Sequence, residues 1–149
     1  MLKFYETATN ADQRNSALRS LGAARDPALM QRTVDLMLSE KVRSQDIYMA
    51  MGSLRGHSAG IRALWQWLQA SWDEVRVKFP GSLPMLGTIV QSSTASLTRQ
   101  EQLDELLAFF EDKDKGGYDR SLAQSIDSIK AKIEWTKRDG ADVKAWLGL

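Results

Sequence analysis

His57 is the only histidine in the 149-residue chain, and there is no cysteine. A protein zinc site draws several ligands from His, Cys and carboxylates in one closed constellation. One histidine and no thiol argue against a metal centre, and thiol or disulfide chemistry is excluded outright. Carboxylates stand in adjacent pairs at Asp104/Glu105 and Glu111/Asp112. General acid–base work would need a partner group for each, so solvation of an exposed helix face is the plainer reading. Gly116-Gly117 has no Lys-Ser/Thr after it and no strand before it, so it is not a phosphate-binding loop. The sequence therefore nominates no catalytic residue and no metal ligand.

What remains are groups suited to contact. Arg55 and His57 lie in a turn punctuated by Gly52, Gly56 and Gly60. They are read either as a solvated loop or as an interface- or substrate-facing pair, since loops held by rigid helices often carry binding groups. Trp65 and Trp72 are seven residues apart on one helical face and read as packing anchors. Trp67 points away from that stripe; buried packing is the plainer reading for it too, and a domain interface or a peptide-facing wall the sharper one.

The elements that must hold these groups are helices. Apolar residues recur with a period of 3.6, and strand alternation is nearly absent. A short helix is expected over Leu2 to Ala8. Asn10 is an N-cap for a helix ending near Gly22, and Asp26-Pro27 starts the next. Ser44 is read as the cap of a helix holding Ile47, Met51 and Leu54. Ile61, Leu64, Trp65 and Leu68 form the clearest stripe, and Trp72, Val75 and Phe79 make a short helix stopped by Pro80-Gly81. A further helix starts near Leu83, with Pro84 in its first turn. Thr98 and Glu101 suggest a capping box, Asp119 a cap for a long helix, and Asp139 the start of a last one. That gives roughly ten helices joined by short loops, in pairs of about 30–40 residues. The pattern predicts one all-α domain over 1–149, with antiparallel helix pairs stacked as an irregular HEAT- or armadillo-like solenoid. A compact helical bundle is the alternative.

Charge narrows the partners. There are 20 basic and 19 acidic residues, for a net charge of +1, and neither half of the chain is skewed. No electrostatic case for nucleic acid exists. No apolar run approaches the ~18 residues of a membrane span. The residues Met1 to Asn10 lack the charged and apolar regions of a signal peptide. With no cysteine, a cytoplasmic location is expected.

The stretch Gly60-Ile-Arg-Ala-Leu-Trp65-Gln-Trp-Leu-Gln-Ala-Ser-Trp72 resembles one in the C-terminal domain of the puromycin-sensitive, alanyl and endoplasmic-reticulum aminopeptidases. Leu38-Ser-Glu-Lys-Val-Arg-Ser-Gln-Asp46 is similar to the segment upstream of it, with Ser44 where relatives often have proline. Ala17-Leu-Arg-Ser-Leu-Gly22, Trp135-Thr-Lys-Arg-Asp139 and Val143-Lys-Ala-Trp-Leu147 fit in the same order. Ser71 departs from the asparagine of many relatives. The tone is that of fungal cytosolic members.

The resemblance implies a non-catalytic helical domain that curves over the active site of a zinc aminopeptidase and helps select and hold peptide substrates. Zinc then belongs to the parent's catalytic domain, with no cofactor in this chain. The partners are that domain and the peptides. The family's His-Glu-x-x-His and Gly-x-Met-Glu-Asn motifs are absent here, so no catalytic residue carries over. Gly60, Trp65 and Trp72 carry over as packing positions. On this reading the N-terminal edge of the repeat array is cut, leaving Leu2, Phe4 and Tyr5 as exposed or makeshift capping residues and a surface for self-association. A stand-alone helical-repeat interaction module is the competing reading.

Overall fold

Helix starts are set by local chemistry that the chain supplies repeatedly. A computed structural model describes residues 1–148. In it, α1 (Leu2–Thr7) is followed by α2 (Ala11–Gly22), whose first turn is capped by Asn10: its Oδ1 accepts from the Gln13 amide at 2.9 Å. Asp26 does the same for α3 (Pro27–Leu38), accepting from the Leu29 amide at 3.0 Å, with Pro27 in the first helical position. A proline there removes only an amide that the helix could not have paired. A 3-10 turn (Ser44–Asp46) leads into α4 (Ile47–Leu54), then come α5 (Ser58–Ala70), α6 (Trp72–Lys78) and α7 (Pro84–Thr94). The chain closes with α8 (Gln100–Phe110) and α9 (Asp119–Leu147). Among the described residues 76% are helical and there is no strand, so the class is all-α as expected.

Packing neighbours alternate along the chain. α2 lies against α1, α3 and α4; α3 and α4 both lie against α5; α5 packs on α7, and α7 on α9. The main core runs from α3 to α9, from Met30 to Ile133, and includes Ile47, Leu54, Leu64, Leu68, Leu86, Ile89, Leu106 and Ile129. A second, small core of Tyr5, Ala17, Leu18 and Val42 sits at the α1–α2 end. Gly117 allows the α8–α9 loop to close. Its φ of +88° suits a residue without Cβ, and a Cβ there would stand 2.2 Å from the Gly81 carbonyl oxygen.

Four local expectations change. Ser44 does not cap α4. Asp46 closes the 3-10 turn ahead of it, and its carboxylate is engaged by Arg43 at 2.6 Å rather than by the helix. Thr98 and Glu101 form no capping box: the Gln102 side chain accepts from the amides of Thr98 and Arg99, both at 3.1 Å. Tyr118, with no side-chain cap, occupies the place expected for Asp119, which is already helical. Asp139 starts nothing. α9 runs unbroken for 29 residues, so the described chain has nine α-helices and not ten. Arg138 binds both Asp139 carboxylate oxygens at 2.8 Å, which takes up the acceptor a cap would use. Gly140 then costs the continuing helix only about 1 kcal/mol relative to alanine.

The N-terminal residues divide. Phe4 is exposed and Leu2 half-buried, whereas Tyr5 is buried and its hydroxyl donates to the Lys41 carbonyl at 2.7 Å. Tyr5 therefore is a core residue, not an exposed edge.

Candidate functional site

The turn between α4 and α5 is shaped by His57. Its backbone is extended, and its Nδ1 accepts from the Gly60 amide at 3.0 Å, which makes it the N-cap of α5. The imidazole thus takes the role usually filled by Ser, Thr, Asp or Asn. Its other nitrogen, Nε2, is buried with no hydrogen-bond partner. Gly60 is required by contact. A Cβ there would lie 2.1 Å from the Leu54 carbonyl oxygen and 2.8 Å from His57 Cε1. Gly52, by contrast, lies inside α4 and has open space around it, so these glycines do not act as one turn motif.

Arg55 is exposed on this turn and reaches across to the α7–α8 connection. Its Nε donates to Ser96 Oγ at 3.3 Å. Lys132 of α9 comes to the same place and donates to the Ala95 carbonyl, as does the Ser128 hydroxyl at 3.4 Å. Burial pushes the Lys132 ammonium below its ordinary pKa, and the nearby Arg55 charge pushes it further down. Among the described residues neither cation has an ion-pair partner within 4.0 Å. Two cations therefore share one spot held by the ends of α4 and α7 and the middle of α9. Lys132 stands 77 residues after Arg55 in the chain, so no local spacing could have linked them.

Trp65 and Trp72 behave as anchors. Trp65 is 3% exposed, and its indole N–H donates to Glu105 Oε2 at 3.1 Å; Gln69 donates to the other carboxylate oxygen at 3.0 Å. Glu105, read above as a solvated face, thus completes the tryptophan's hydrogen bonding. Trp72 meets Phe109, Phe110 and Tyr118 edge-on, at centroid distances of 5.9, 5.3 and 5.2 Å. Such edge-to-face pairs add about 0.5–1.5 kcal/mol beyond burial. The Arg76 guanidinium lies over both Trp72 and Tyr118, about 6 Å from each ring. Burial raises the Tyr118 hydroxyl to about 12, against the smaller opposing effect of Arg76.

Trp67 takes the plainer of its two readings, buried packing. It is 5% exposed, part of the main core, and its Nε1 is buried without a partner. It lines a groove of about 400 Å³ between α3 and α5, together with Met30, Ala63 and Arg62. Because α5 touches α3, α4, α6 and α7, both of its sides are covered, and a residue off the main stripe is buried too.

This arrangement can pack, and it can bind anions through Arg55 and Lys132. His57 does not suit zinc: Nδ1 is committed to the cap, Nε2 is enclosed, and no cluster of three or more metal-ligating residues occurs among the described residues. No described helix is long and apolar enough to cross a membrane.

A model of the ERAP1-like C-terminal domain matches residues 1–131. The chain belongs to the ERAP1-like C-terminal domain family. Aminopeptidase 2 of Candida albicans is 38% identical over 148 residues, which covers 99% of this chain and 16% of that protein. The mitochondrial Aminopeptidase 2 of Saccharomyces cerevisiae is 39% identical over 145 residues, 97% of this chain and 15% of that protein. The alanine/arginine aminopeptidase of the same yeast is 33% identical over 147 residues, 99% and 17% respectively. The domain thus spans about one sixth of the length of these relatives. The family match ends inside α9, while the fungal similarity continues along that helix.

Proposed function

We propose that this domain is the non-catalytic C-terminal part of a zinc aminopeptidase, that its helix pairs stack as an irregular HEAT-like solenoid, and that it closes over the active site and helps hold peptide substrates. The observation that carries the reading is the family match across residues 1–131, joined to relatives whose names are those of aminopeptidases. Alternating neighbours, α3 with α5, α5 with α7 and α7 with α9, are what stacked pairs require. Arg55 is the residue best placed to meet a peptide or the catalytic domain. It is exposed, lies beside Lys132, and is held in a turn whose geometry is fixed by Gly60.

The chemistry belongs to the rest of such an enzyme. Peptide hydrolysis by this route needs a metal to polarise the carbonyl and activate water, and a carboxylate to move a proton. The single histidine here is occupied as a cap. Contacts remote from the scissile bond contribute by orienting the substrate. A cytoplasmic location goes with the lack of cysteine; cell fractionation would decide between it and the mitochondrial location in one relative's name.

The test is a fluorogenic aminopeptidase assay on the chain, with and without zinc, beside the intact parent enzyme carrying Arg55→Ala. The expected result is no turnover by the chain, and a raised KM for longer peptides in the parent variant. Metal-dependent turnover by the chain, lost on His57→Ala, would overturn the proposal. A parent variant indistinguishable from the unaltered enzyme on every peptide length would remove Arg55 from substrate binding.

A further inference from the structure

A separate open pocket of about 410 Å³, walled by charged and polar residues, lies over the small core, between α1, the first turn of α2 and the connection from α3 to α4. Its walls are Tyr5, Glu6, Arg14, Lys41 and Arg43, three of them cationic. Two of the cations have carboxylate partners, an exposed one for Lys41 and a buried one for Arg43. Lys41 Nζ donates to Glu6 Oε1 at 2.5 Å, and Arg43 Nε donates to Asp46 Oδ2 at 2.6 Å. Asp46 is buried, so Arg43 is tied to a rigid turn. The Tyr5 hydroxyl donates to the Lys41 carbonyl and holds that loop against α1.

Each ion pair uses only one N–H. Among the described residues the terminal nitrogens of Arg43 and two protons of Lys41 remain without a protein acceptor, and the side chain of half-buried Arg14 has no hydrogen bond or ion pair. The pocket wall therefore carries unspent donors from three separate segments, and its single carboxylate, Glu6, is already bound to Lys41. A guanidinium is a planar fork that matches two oxygens of one anionic group. Donors that are already positioned lose little freedom when a ligand arrives.

We propose that this pocket is an oxyanion-binding site for a small molecule bearing a phosphate or carboxylate group, with Arg14 as its principal ligand and Arg43 and Lys41 as supports. The site is independent of the aminopeptidase reading, because none of its residues belongs to the Arg55 turn.

Isothermal titration of the chain with inorganic phosphate, and separately with succinate, at fixed ionic strength tests this. Saturable binding of at least one is expected, and the stronger of the two identifies the anionic group. Arg14→Gln should weaken binding about tenfold or more, the loss of one charge-assisted forked contact. Arg14→Lys, which keeps the charge without the fork, should fall between and serves as the reference should Arg14→Gln fold poorly. A rise in melting temperature alone does not count, since phosphate stabilises folded proteins by exclusion from their surface. Absence of saturable binding for both anions through the millimolar range would overturn the proposal. So would binding that is unchanged in both Arg14 variants.

Discussion

Trp65 and Trp146 are the same residue on two regular helices, and the chain treats them in opposite ways. Trp65 sits on α5, is 3% exposed, and has Phe109 edge-on at 5.6 Å and Glu105 on its N–H. Trp146 sits near the end of α9 and is 84% exposed. From Glu134 to Gly148 no residue is buried, although the helix is continuous. The first half of α9 buries Leu122, Ile129 and Ile133 against α7 and α8; the second half has only its own hydrogen bonds and local pairs such as Lys137–Glu134. Amphipathic spacing sets which side chains share a face. Whether that face is buried depends on a neighbouring element, and α5 has neighbours on both sides while the end of α9 has none among the described residues.

The largest expected effect follows directly. Trp65→Ala should cost about 3–5 kcal/mol in a urea melt, from lost burial and the cavity left behind. Trp146→Ala should stay within about 0.5 kcal/mol, as exposed substitutions do. Equal effects at the two sites would break the comparison and would require a partner on the end of α9.

Glycines make the same contrast on a smaller scale. Gly60→Ala forces a Cβ into the backbone of Leu54 and should cost about 3 kcal/mol, at the upper end for overpacking. Gly52→Ala meets open space within α4 and should stabilise by about 0.5–1 kcal/mol. Chemical denaturation of the two variants side by side is the measurement. A stable Gly60→Ala would mean that α4 and α5 can move apart, and the Arg55 turn would then not be rigid.

Tyr118 gives the aromatic cluster a dependence on alkaline pH. Its hydroxyl ionises at about 12 in the folded chain and near 10 when unfolded. The unfolded chain therefore loses its proton first, so stability is full below about pH 10 and falls as pH rises toward 12. Tyr118→Phe should remove this share of the decline, and at neutral pH it should be nearly neutral, because the buried hydroxyl has no partner to lose. Melts of both proteins between pH 8 and 11 compare them, and identical slopes would place the hydroxyl in contact with water.

How much was legible in the sequence follows from the range of the interaction involved. Asn10 and Asp26 act on an amide three residues ahead, so their caps could be read locally. Ser44, Thr98 and Asp139 have equally good local credentials, and each loses to a competitor. Ser44 is drawn into the 3-10 turn that ends at Asp46, Gln102 reaches the amides before α8, and Arg138 occupies Asp139. α9 was read as two helices, but the helices before it and the anchor role of Trp65 and Trp72 were legible because burial follows their stripe. Burial of Trp67 does not follow from that stripe, because it depends on α3 covering the second side of α5. The meeting of Arg55 with Lys132, and of Arg14 with Lys41 and Arg43, depends on tertiary packing and left no pattern in spacing.

Arg55 and His57 were paired by sequence as neighbours in one turn, and the structure separates their roles. Arg55 points outward beside another cation, whereas His57 turns inward and satisfies the first turn of α5. His57→Ala should therefore cost about 1 kcal/mol in stability, the usual worth of an N-cap. His57→Asn should recover most of that, because its side-chain oxygen can accept from the Gly60 amide in place of Nδ1. In the parent enzyme, His57→Asn should leave peptide hydrolysis unchanged while Arg55→Ala raises KM for longer peptides. A His57→Asn variant that is as stable as the original yet impaired in peptide binding would show that the imidazole itself meets the substrate, and the division between the two residues would fail. Restored stability with unaltered kinetics would leave Arg55 as the turn's only outward-acting group, with His57 and Gly60 fixing the direction in which it points.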